Sequence, residues 1–315
     1  MKNSKQTYRA DFNQFTSGLI FQSPTWLDLV AGPNNWDVAI AYQGDFISGA
    51  LPYVTNTKYG LKQITIPFLT PYLGPIFRYP SDLSNSKKLS YQKKTLESLI
   101  NQIPDTDRFI TQSDFNFDYW LPFYWNGFQQ TTRYSFTLNT TPSEDELLAG
   151  FKPNIKKHIK NASKLFKVEE GRDIKPLFAM HKSDLNKKNT DLHFSKEQLE
   201  KVYLTLQKSG DCKIFNAVDE RNEVVSAFFI VFDKHFTHYL LGTVKPKHRH
   251  TGVMSLLMWT VIKEAKSRGL TFNFEGSMHQ SIERFFSSFG GQPQPYMQIS
   301  KTSNKWLKEF TRFNH

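Results

Sequence analysis

Two segments of the chain, 163 residues apart, share a pattern of aromatic residues followed by glycine and glutamine. The first runs from Phe123 to Tyr134 and the second from Phe286 to Tyr296. Each ends the same predicted order of hairpin, strand, helix, strand and short helical turn. Such a period predicts that one structural unit occurs twice. We therefore predict an α/β (α+β) chain of two tandem domains, 1–142 and 143–315, each a mixed twisted sheet flanked by helices.

The composition suits a globular chain of two domains. The 28 phenylalanines among 315 residues exclude a disordered protein, because disordered chains lack large apolar side chains. The longest apolar run, Val224 to Phe232, is far shorter than the ~20 residues of a membrane span, and the polar N-terminus lacks a secretory signal. Cys212, the single cysteine, cannot form an internal disulfide or make a zinc site alone. We expect no metal, no membrane span and a cytoplasmic protein.

The charge is strongly basic and is concentrated in one segment. A net charge of +11 predicts an anionic partner such as nucleic acid, an acidic membrane surface, or a cofactor or substrate that carries a nucleotide. Residues 151–167 contain six lysines and no acid, with apolar residues at helical spacing opposite them. We predict a basic helix over 151–167, on which Lys156 and Lys160 share a face and could meet a phosphate. A solvated lysine face is the alternative. The polar segment 181–191 is predicted as a loop.

A glycine turn lies between a predicted strand, 236–244, and a predicted helix, 253–268. The first amides of a helix have no partner within it and form the positive end of its dipole, so such a turn can hold a pyrophosphate. Basic side chains around the turn add hydrogen-bond donors and charge. A helix start on a basic surface is the alternative. The candidate cofactor-binding residues are Val244, Lys247, Arg249, His250, Thr251, Gly252 and Val253.

Two candidate catalytic residues lie on strands that flank this helix. Alternation along residues 270–275 places Asn273 and Glu275 on one face, and His238 lies on the strand before the helix. If the two strands are neighbours, His238 and Glu275 can both reach the cleft between them. Either group could remove the proton from an amine that attacks an acyl carbonyl. A core histidine and a carboxylate that caps a helix are the alternatives.

The glycine turn resembles the acyl-CoA loop of the GNAT acyltransferase superfamily. The resemblance implies that the loop amides hold the CoA pyrophosphate. It also implies that the preceding strand splays from its neighbour to admit the acyl-pantetheine arm, and that acyl-CoA or acetyl-CoA is the co-substrate. One position departs from the pattern, since Met254 stands where the family has a second small residue. The matching residues are Val244, Pro246, Arg249, Gly252 and Leu257.

Three further segments resemble one branch of that superfamily, the Fem-type peptidyltransferases. They are 71–75, 151–162 and 272–291. The resemblance implies tandem GNAT domains and, in that branch, transfer of amino acids from aminoacyl-tRNA to cell-wall precursors. Two positions depart from the branch pattern: Lys156 replaces an arginine, and Phe286 replaces a lysine that assists aminoacyl transfer. These departures favour an acyl-CoA donor over a tRNA donor.

The acceptor is expected in a groove between the two domains. Tyr72, from an aromatic and proline-rich loop, could line it, and a buried packing tyrosine is the alternative. We also assign Asn273 and Tyr296 to the substrate site. No residue is assigned to a metal.

Three hypotheses for function follow from these features. The first is an N-acyltransferase that moves an acyl group from acyl-CoA to a small-molecule amine or to a nucleotide-linked acceptor. The second is a Fem-like transferase that uses aminoacyl-tRNA and a peptidoglycan precursor. The third is a basic binding protein without catalytic activity, which has no support from a known nucleic-acid-binding motif.

Overall fold

The computed structural model of the protein describes residues 4–15, 19–187, 190–276 and 278–304. The chain forms two compact units. The first comprises Met1–Arg133 together with Pro295–His315, and the second comprises Tyr134–Gln294. The first unit is therefore discontinuous in sequence, whereas the predicted division was a single boundary at residue 142.

Within the described ranges, the first unit contains four α-helices, five complete strands and most of a sixth. Helices α1 to α4 span Ser4–Asp11, Pro24–Val30, Asn85–Ile100 and Leu121–Trp125. Strands β1 to β5 span Trp36–Gln43, Phe46–Lys58, Leu61–Thr65, Ile76–Phe77 and Arg108–Gln112, and the last strand, β12, spans Gln292–Thr302. Strand β6, Gln129–Leu138, begins in this unit and ends in the second.

Strand pairing in the first unit explains why the end of the chain belongs to it. Strands β1, β2 and β3 form an antiparallel meander, and β3 then pairs in parallel with β5. Strand β12 pairs with the other edge of β5, so that Ile299 joins the apolar core beneath α3. A boundary at residue 142 misses this return, because the partner of β5 lies far away in sequence.

In the part of the second unit that the structure describes, there are six α-helices and five further strands. Helices α5 to α10 span Glu144–Gly150, Pro153–Ala162, Lys175–Lys187, Lys196–Ser209, Val253–Ser267 and Gln280–Ser287. Strands β7 to β11 span Lys167–Glu170, Cys212–Val218, Val224–Phe232, Phe236–Val244 and Thr271–Gly276.

The pairing order of the first unit recurs in the second. Strands β7 to β10 form an antiparallel meander, β10 pairs in parallel with β11, and β11 pairs antiparallel with β6. Helix α9 connects β10 to β11 and packs on the sheet through an almost wholly buried face that includes Leu257 and Trp259. Each unit is thus a mixed sheet with helices, as the sequence predicts.

Two predicted elements differ from the observed ones. The basic helix is α6, Pro153–Ala162, and it is shorter than 151–167 at both ends. It begins at Pro153 because a proline fits the first helical position. It ends before Phe166, which joins the core and leads directly into β7. Helix α7 continues to Lys187 through most of the segment that we predicted as a loop, and residues 188–189 lie outside the described ranges.

Candidate active site in the second unit

Strands β10 and β11 pair at one end and then separate. The parallel register contains three residue pairs, of which the last joins His238 to Asn273. Beyond this pair, residues 239–242 of β10 are partly exposed although the strand lies between neighbours in the sheet. Each strand also carries a bulge, after Tyr239 and after Asn273 respectively. Bulges commonly bend a strand beside a functional site. The predicted splay between the two strands is therefore present.

The bulge brings the Tyr239 side chain over Gly242. A Cβ added to Gly242 would lie 1.8 Å from the Tyr239 hydroxyl oxygen, so any larger residue there would displace the phenol ring. The ring also packs against Phe228 and Phe286, at centroid distances of 4.7 Å and 6.2 Å. Burial raises the pKa of Tyr239 well above its ordinary value, so the phenol keeps its proton.

The loop that leaves β10 ends at Gly252, which caps the N-terminus of α9. Gly252 has φ +80°, and a Cβ added there would lie 2.8 Å from the carbonyl oxygen of His158. Only glycine meets both requirements, the left-handed backbone and the close approach of α6. The amides of Ser255 and Leu256 already donate to the Gly252 carbonyl. The preceding helical amides have no partner within the helix.

A cavity of about 440 Å³ opens at this helix start. Helix α6 contributes Asn154, Ile155 and His158, and the loop and α9 contribute Arg249, His250, Gly252, Met254 and Ser255. Helix α10 contributes Ser281, Arg284 and Phe285, and its C-cap residue Ser288 completes the lining. Two arginines and two histidines lie among these side chains, and no carboxylate does. Together with the helix dipole, this set favours an anionic ligand.

The predicted loop residues divide between the cavity and its supports. Arg249, His250 and Gly252 line the cavity, and Arg249 also forms an ion pair with Asp184 of α7. The other four do not line it. Val244 and Val253 are buried, Lys247 is exposed beside Glu223, and the Thr251 hydroxyl donates to the His248 carbonyl.

Met254 stands at the position that departs from the GNAT loop pattern, and it lines the cavity while packing partly against the core. The cavity has a volume of about 440 Å³ with this side chain in its lining. The departure is therefore compatible with a bound anion at the helix start.

A buried network surrounds His238 on the separating strands. The imidazole is fully buried, with Nδ1 2.7 Å from Glu275 Oε1 and Nε2 2.9 Å from Asp233 Oδ2. Asn273 lies beside it, and the Asn273 Oδ1 accepts hydrogen bonds from the Ser135 hydroxyl and the Glu275 amide. The hydrogen bonds among these side chains therefore connect β10 and β11, at the point where they separate, with the β9–β10 turn and with β6.

The two carboxylates determine the charge of the imidazole. Burial lowers the pKa of His238, but Asp233 and Glu275 outweigh it and raise the pKa to about 9. Burial likewise raises the pKa of Asp233, but the imidazolium and two backbone N–H groups outweigh it, so this pKa lies below its usual value. This raised pKa favours the imidazolium form of His238 near neutral pH, in which neither ring nitrogen has a lone pair to accept a proton, and the ring has no exposed surface. This geometry does not suit the base role predicted for His238.

Glu275 is the member of the predicted acid–base pair whose side chain is partly exposed, although its Oε2 atom is buried. Its side chain is 13% exposed, and its backbone has φ +64°, a conformation rare for a residue with a side chain. Asn273, by contrast, is fully buried and serves as a hydrogen-bonding support. Strained backbone conformations concentrate at functional sites, so the left-handed backbone of Glu275 makes it the stronger candidate for a functional residue.

Four other predicted substrate residues lie away from this site. Lys156 and Lys160 are exposed on α6, whereas its cavity-lining side chains are those of residues 154, 155 and 158. Tyr72 and Tyr296 are both buried in the first unit, with their rings 5.3 Å apart. Tyr72 thus matches the packing alternative, and a buried Tyr296 is equally unsuited to bind a substrate.

Sequence reasoning missed the contribution of α10. Its lining residues follow the helical spacing i, i+3, i+4 and i+7, a signal that could have identified them: Ser281, Arg284, Phe285 and Ser288. Phe286, at the position of the Fem lysine, turns instead into the core against Phe274 and Tyr239. A lysine there would be buried among aromatic rings in this protein. Asp233 was also missed, because nothing in its local sequence connects it with His238.

Residues 149–278 match the family model of the acetyltransferase (GNAT) domain, and this range contains the separating strands, the loop and α9. No curated protein sequence matches the chain. This match identifies residues 149–278 as a domain of the GNAT acetyltransferase type.

Several solved structures share the fold over most of the chain. FemX is 14% identical, with a TM-score of 0.65 over 94% of this chain and 96% of that one. L-PGS from Bacillus licheniformis is 11% identical, with a TM-score of 0.56 over 95% and 92%. A tandem GNAT protein from the clavulanic acid biosynthesis pathway is 8% identical, with a TM-score of 0.52 over 85% and 83%. These similarities confirm the predicted fold, and the family-model match confirms the resemblance to the GNAT superfamily.

None of the helices in the described ranges has the length and apolar character that a bilayer crossing requires. Among the same residues, no group of three histidine, cysteine or acidic side chains is arranged to hold a metal ion.

Proposed function

We propose that the protein is an N-acyltransferase that moves an acyl group from acyl-CoA to an amine. The observation that carries this proposal is the cationic cavity at the start of α9, beside the opening between β10 and β11. A CoA pyrophosphate would accept hydrogen bonds from the free amides after Gly252 and from Arg284 and Arg249. The acyl-pantetheine arm would then extend along residues 239–242 of β10.

Separation of the strands supplies hydrogen-bonding groups for the arm. Backbone groups of β10 that face β11 lose their strand partner beyond the pair of His238 and Asn273. An extended ligand with amide groups can pair with such an edge as a strand does. The Tyr239 ring over Gly242 forms part of the wall of this slot.

Glu275 is the proposed general base. Glu275 takes one proton from the acceptor ammonium, and the neutral amine then forms a bond to the acyl carbon of the thioester. The carbon–sulfur bond breaks, and the leaving thiolate takes up, through water, the second proton that the nitrogen loses as the amide forms. His238 and Asp233 do not contact the substrate in this scheme, because both are held in the buried network. Positioned bases of this kind contribute about 10²–10⁴ in rate.

A second candidate is transfer from aminoacyl-tRNA, and two observations favour keeping it. The fold is similar to that of FemX over nearly the whole of both chains. Helix α6 also exposes lysines next to the cavity. Against it, the lysine that the Fem-type resemblance implies for aminoacyl transfer is Phe286, in the core. The third hypothesis, a basic binding protein without catalytic activity, is not favoured by any specific feature of the described residues.

Calorimetry and thermal unfolding with acetyl-CoA, succinyl-CoA and longer acyl-CoAs test the proposal. A ligand that binds the native state alone raises the melting temperature as its concentration rises. Arg284→Gln should weaken binding about 10- to 100-fold, because a charged hydrogen bond is worth about 1.5–3 kcal/mol. Arg221→Gln, which removes an exposed arginine from the β8–β9 turn, is the matched control.

Two outcomes would contradict the acyl-CoA donor. One is that no acyl-CoA changes the melting curve or gives heat. The other is that Arg284→Gln and Arg221→Gln weaken binding equally. Retention of tRNA at ~0.15 M salt by a protein that ignores acyl-CoA would favour the second candidate, since nonspecific binding of polyanions weakens steeply with salt.

A further inference from the structure

The network around His238 begins at Asp233, a residue to which the proposed reaction gives no task. Asp233 lies in the turn between β9 and β10. Its Oδ1 accepts hydrogen bonds from the amides of His235 and Phe236, at 2.8 Å each. Its Oδ2 lies 2.9 Å from His238 Nε2. One oxygen of this carboxylate therefore holds the turn, and the other holds the imidazole.

The network ends at Glu275, where β11 resumes its pairing with β6 directly after the bulge. The Glu275 backbone is left-handed at this point. Two side-chain contacts hold the residue: His238 Nδ1 lies at its carboxylate, and Asn273 Oδ1 accepts from its amide. The Ser135 hydroxyl in turn donates to Asn273 Oδ1. The imidazole is the contact that touches the reacting group.

We propose that Asp233 is a positioning residue that keeps His238 doubly protonated, so that His238 donates a hydrogen bond to Glu275 and aims its carboxylate into the opening between β10 and β11. This inference rests on the proposed function for the task of Glu275. It adds a residue outside the opening whose charge governs the base.

The hydrogen-bonding capacity of imidazole supports the proposal. Each ring nitrogen of His238 has a carboxylate oxygen within 2.9 Å, closer than the Asn273 side-chain nitrogen, which lies 3.2 Å from Nδ1. A neutral imidazole has a single N–H, so one of its nitrogens would face a carboxylate as a second acceptor, whereas an imidazolium donates to both. The charged groups that act on this ring are the Asp233 and Glu275 carboxylates. Without Asp233, burial favours the neutral ring.

Asp233→Asn removes the charge and preserves the shape. Its oxygen can still cap the turn, while its amide N–H faces His238 Nε2 and forces that nitrogen to accept. The ring then carries its single proton on Nδ1. Asp219→Asn is the matched control, because Asp219 Oδ1 caps the β8–β9 turn through the amides of Arg221 and Glu223, at 3.0 Å each.

The first measurement needs no activity. Carbon resonances of the His238 ring and of the Glu275 carboxyl group are followed against pH in the native protein and both variants. In the native protein and in Asp219→Asn, both resonances should change together near pH 9. In Asp233→Asn, both changes should move to lower pH. A Glu275 resonance that ignores the His238 titration, or an Asp233→Asn titration identical to the native one, would overturn the inference.

The second measurement separates this inference from the proposed function. In the pH profile of kcat/KM, Asp233→Asn should lose at least tenfold at pH 8 and begin its alkaline decline earlier, with an unchanged Kd for acetyl-CoA. A purely structural role would lower the melting temperature and leave the alkaline limb in place. If the native protein transfers no acyl group from any donor, the proposed function is refuted. If the native protein is active and Asp233→Asn leaves the pH profile of kcat/KM unchanged, the positioning role is refuted.

Discussion

Each unit contains one parallel pair of strands that are connected through a helix, but the residues at the end of the pairing differ in polarity between the units. In the first unit, β3 and β5 end their pairing at Ile64 and Phe109, which are both buried and apolar. In the second unit, β10 and β11 end theirs at His238 and Asn273. The same place in the sheet is therefore packed in one unit and polar in the other.

The connecting helices differ in the same sense. Helix α3 starts after a long proline-rich connection, and its N-cap is Ser84. Helix α9 follows β10 through a short basic loop and starts at Gly252, against which α6 packs closely. One framework thus gives a closed scaffold or an open site, depending on a few residues at the strand ends and the helix start. We expect chemistry in the second unit and structural support in the first.

The largest expected effect is on turnover. Glu275→Gln keeps an oxygen that can accept from His238 Nδ1 but cannot take a proton, so kcat should fall by about 10²–10⁴ while the protein stays folded. Thr111, in β5, donates its hydroxyl to the buried Leu73 carbonyl. Thr111→Val should instead destabilise the fold by about 1–3 kcal/mol and leave kcat unchanged. Steady-state kinetics and urea unfolding of both variants check this contrast. A kcat of Glu275→Gln equal to that of the native protein would contradict the assignment of Glu275 as the base.

The next effect concerns two glycines with similar backbones. Gly252 and Gly60 have φ +80° and +76°, but only Gly252 has other atoms within 4 Å of an added Cβ. Gly60→Ala should cost only the left-handed strain, about 1–2 kcal/mol. Gly252→Ala should cost more, because α6 must move, and it should abolish binding of acyl-CoA. Urea unfolding measures the stability of both variants, and calorimetry measures their binding of acyl-CoA. Equal losses of stability would show that α6 moves away from residue 252 at little cost in free energy.

Stability should depend on pH through the second unit. The folded-state pKa of His238, about 9, exceeds its unfolded value near 6.5. Its contribution is therefore complete below about pH 6.5 and is lost as the pH rises through 9, at up to ~1.4 kcal/mol per pH unit. Hydrogen exchange, corrected for its intrinsic pH dependence, should accelerate in β10 and β11 over this range but not in β3 and β5. Parallel behaviour of both strand pairs would contradict the assignment to His238.

The smallest effect on stability is expected on α6. Lys156→Ala with Lys160→Ala removes two exposed charges and should change the free energy of unfolding by less than ~0.5 kcal/mol. The KM for acyl-CoA should stay within a factor of two to three, because neither side chain lines the cavity. A gel-shift assay provides the discriminating result: tRNA bound by the native protein at ~0.15 M salt and lost in the double variant would support the tRNA donor.

Local patterns predicted the parts of the site that are local in sequence. The loop around Arg249 and Gly252 was found because a glycine turn, basic residues and a helix follow one another directly. The network around His238 was found only in part, because Asp233 reaches it through a turn and Glu275 through a bulge, and neither irregularity has a clear local signal. The cavity wall from α6 and α10 depends on packing between helices, which periodicity alone does not give.

The return of β12 to the first unit determines the order in which the chain can be completed. Gln112 and Gln298, whose side chains hydrogen bond across β5 and β12, are 186 residues apart. On the ribosome, the whole second unit is made before the partner of β5 emerges. Until then β5 presents an unpaired edge, of the kind that promotes misassociation between chains. The first unit is therefore synthesised first, but its sheet is completed only after β12 has been made. A nascent chain avoids misassociation at β5 only if β12 pairs with it soon after synthesis.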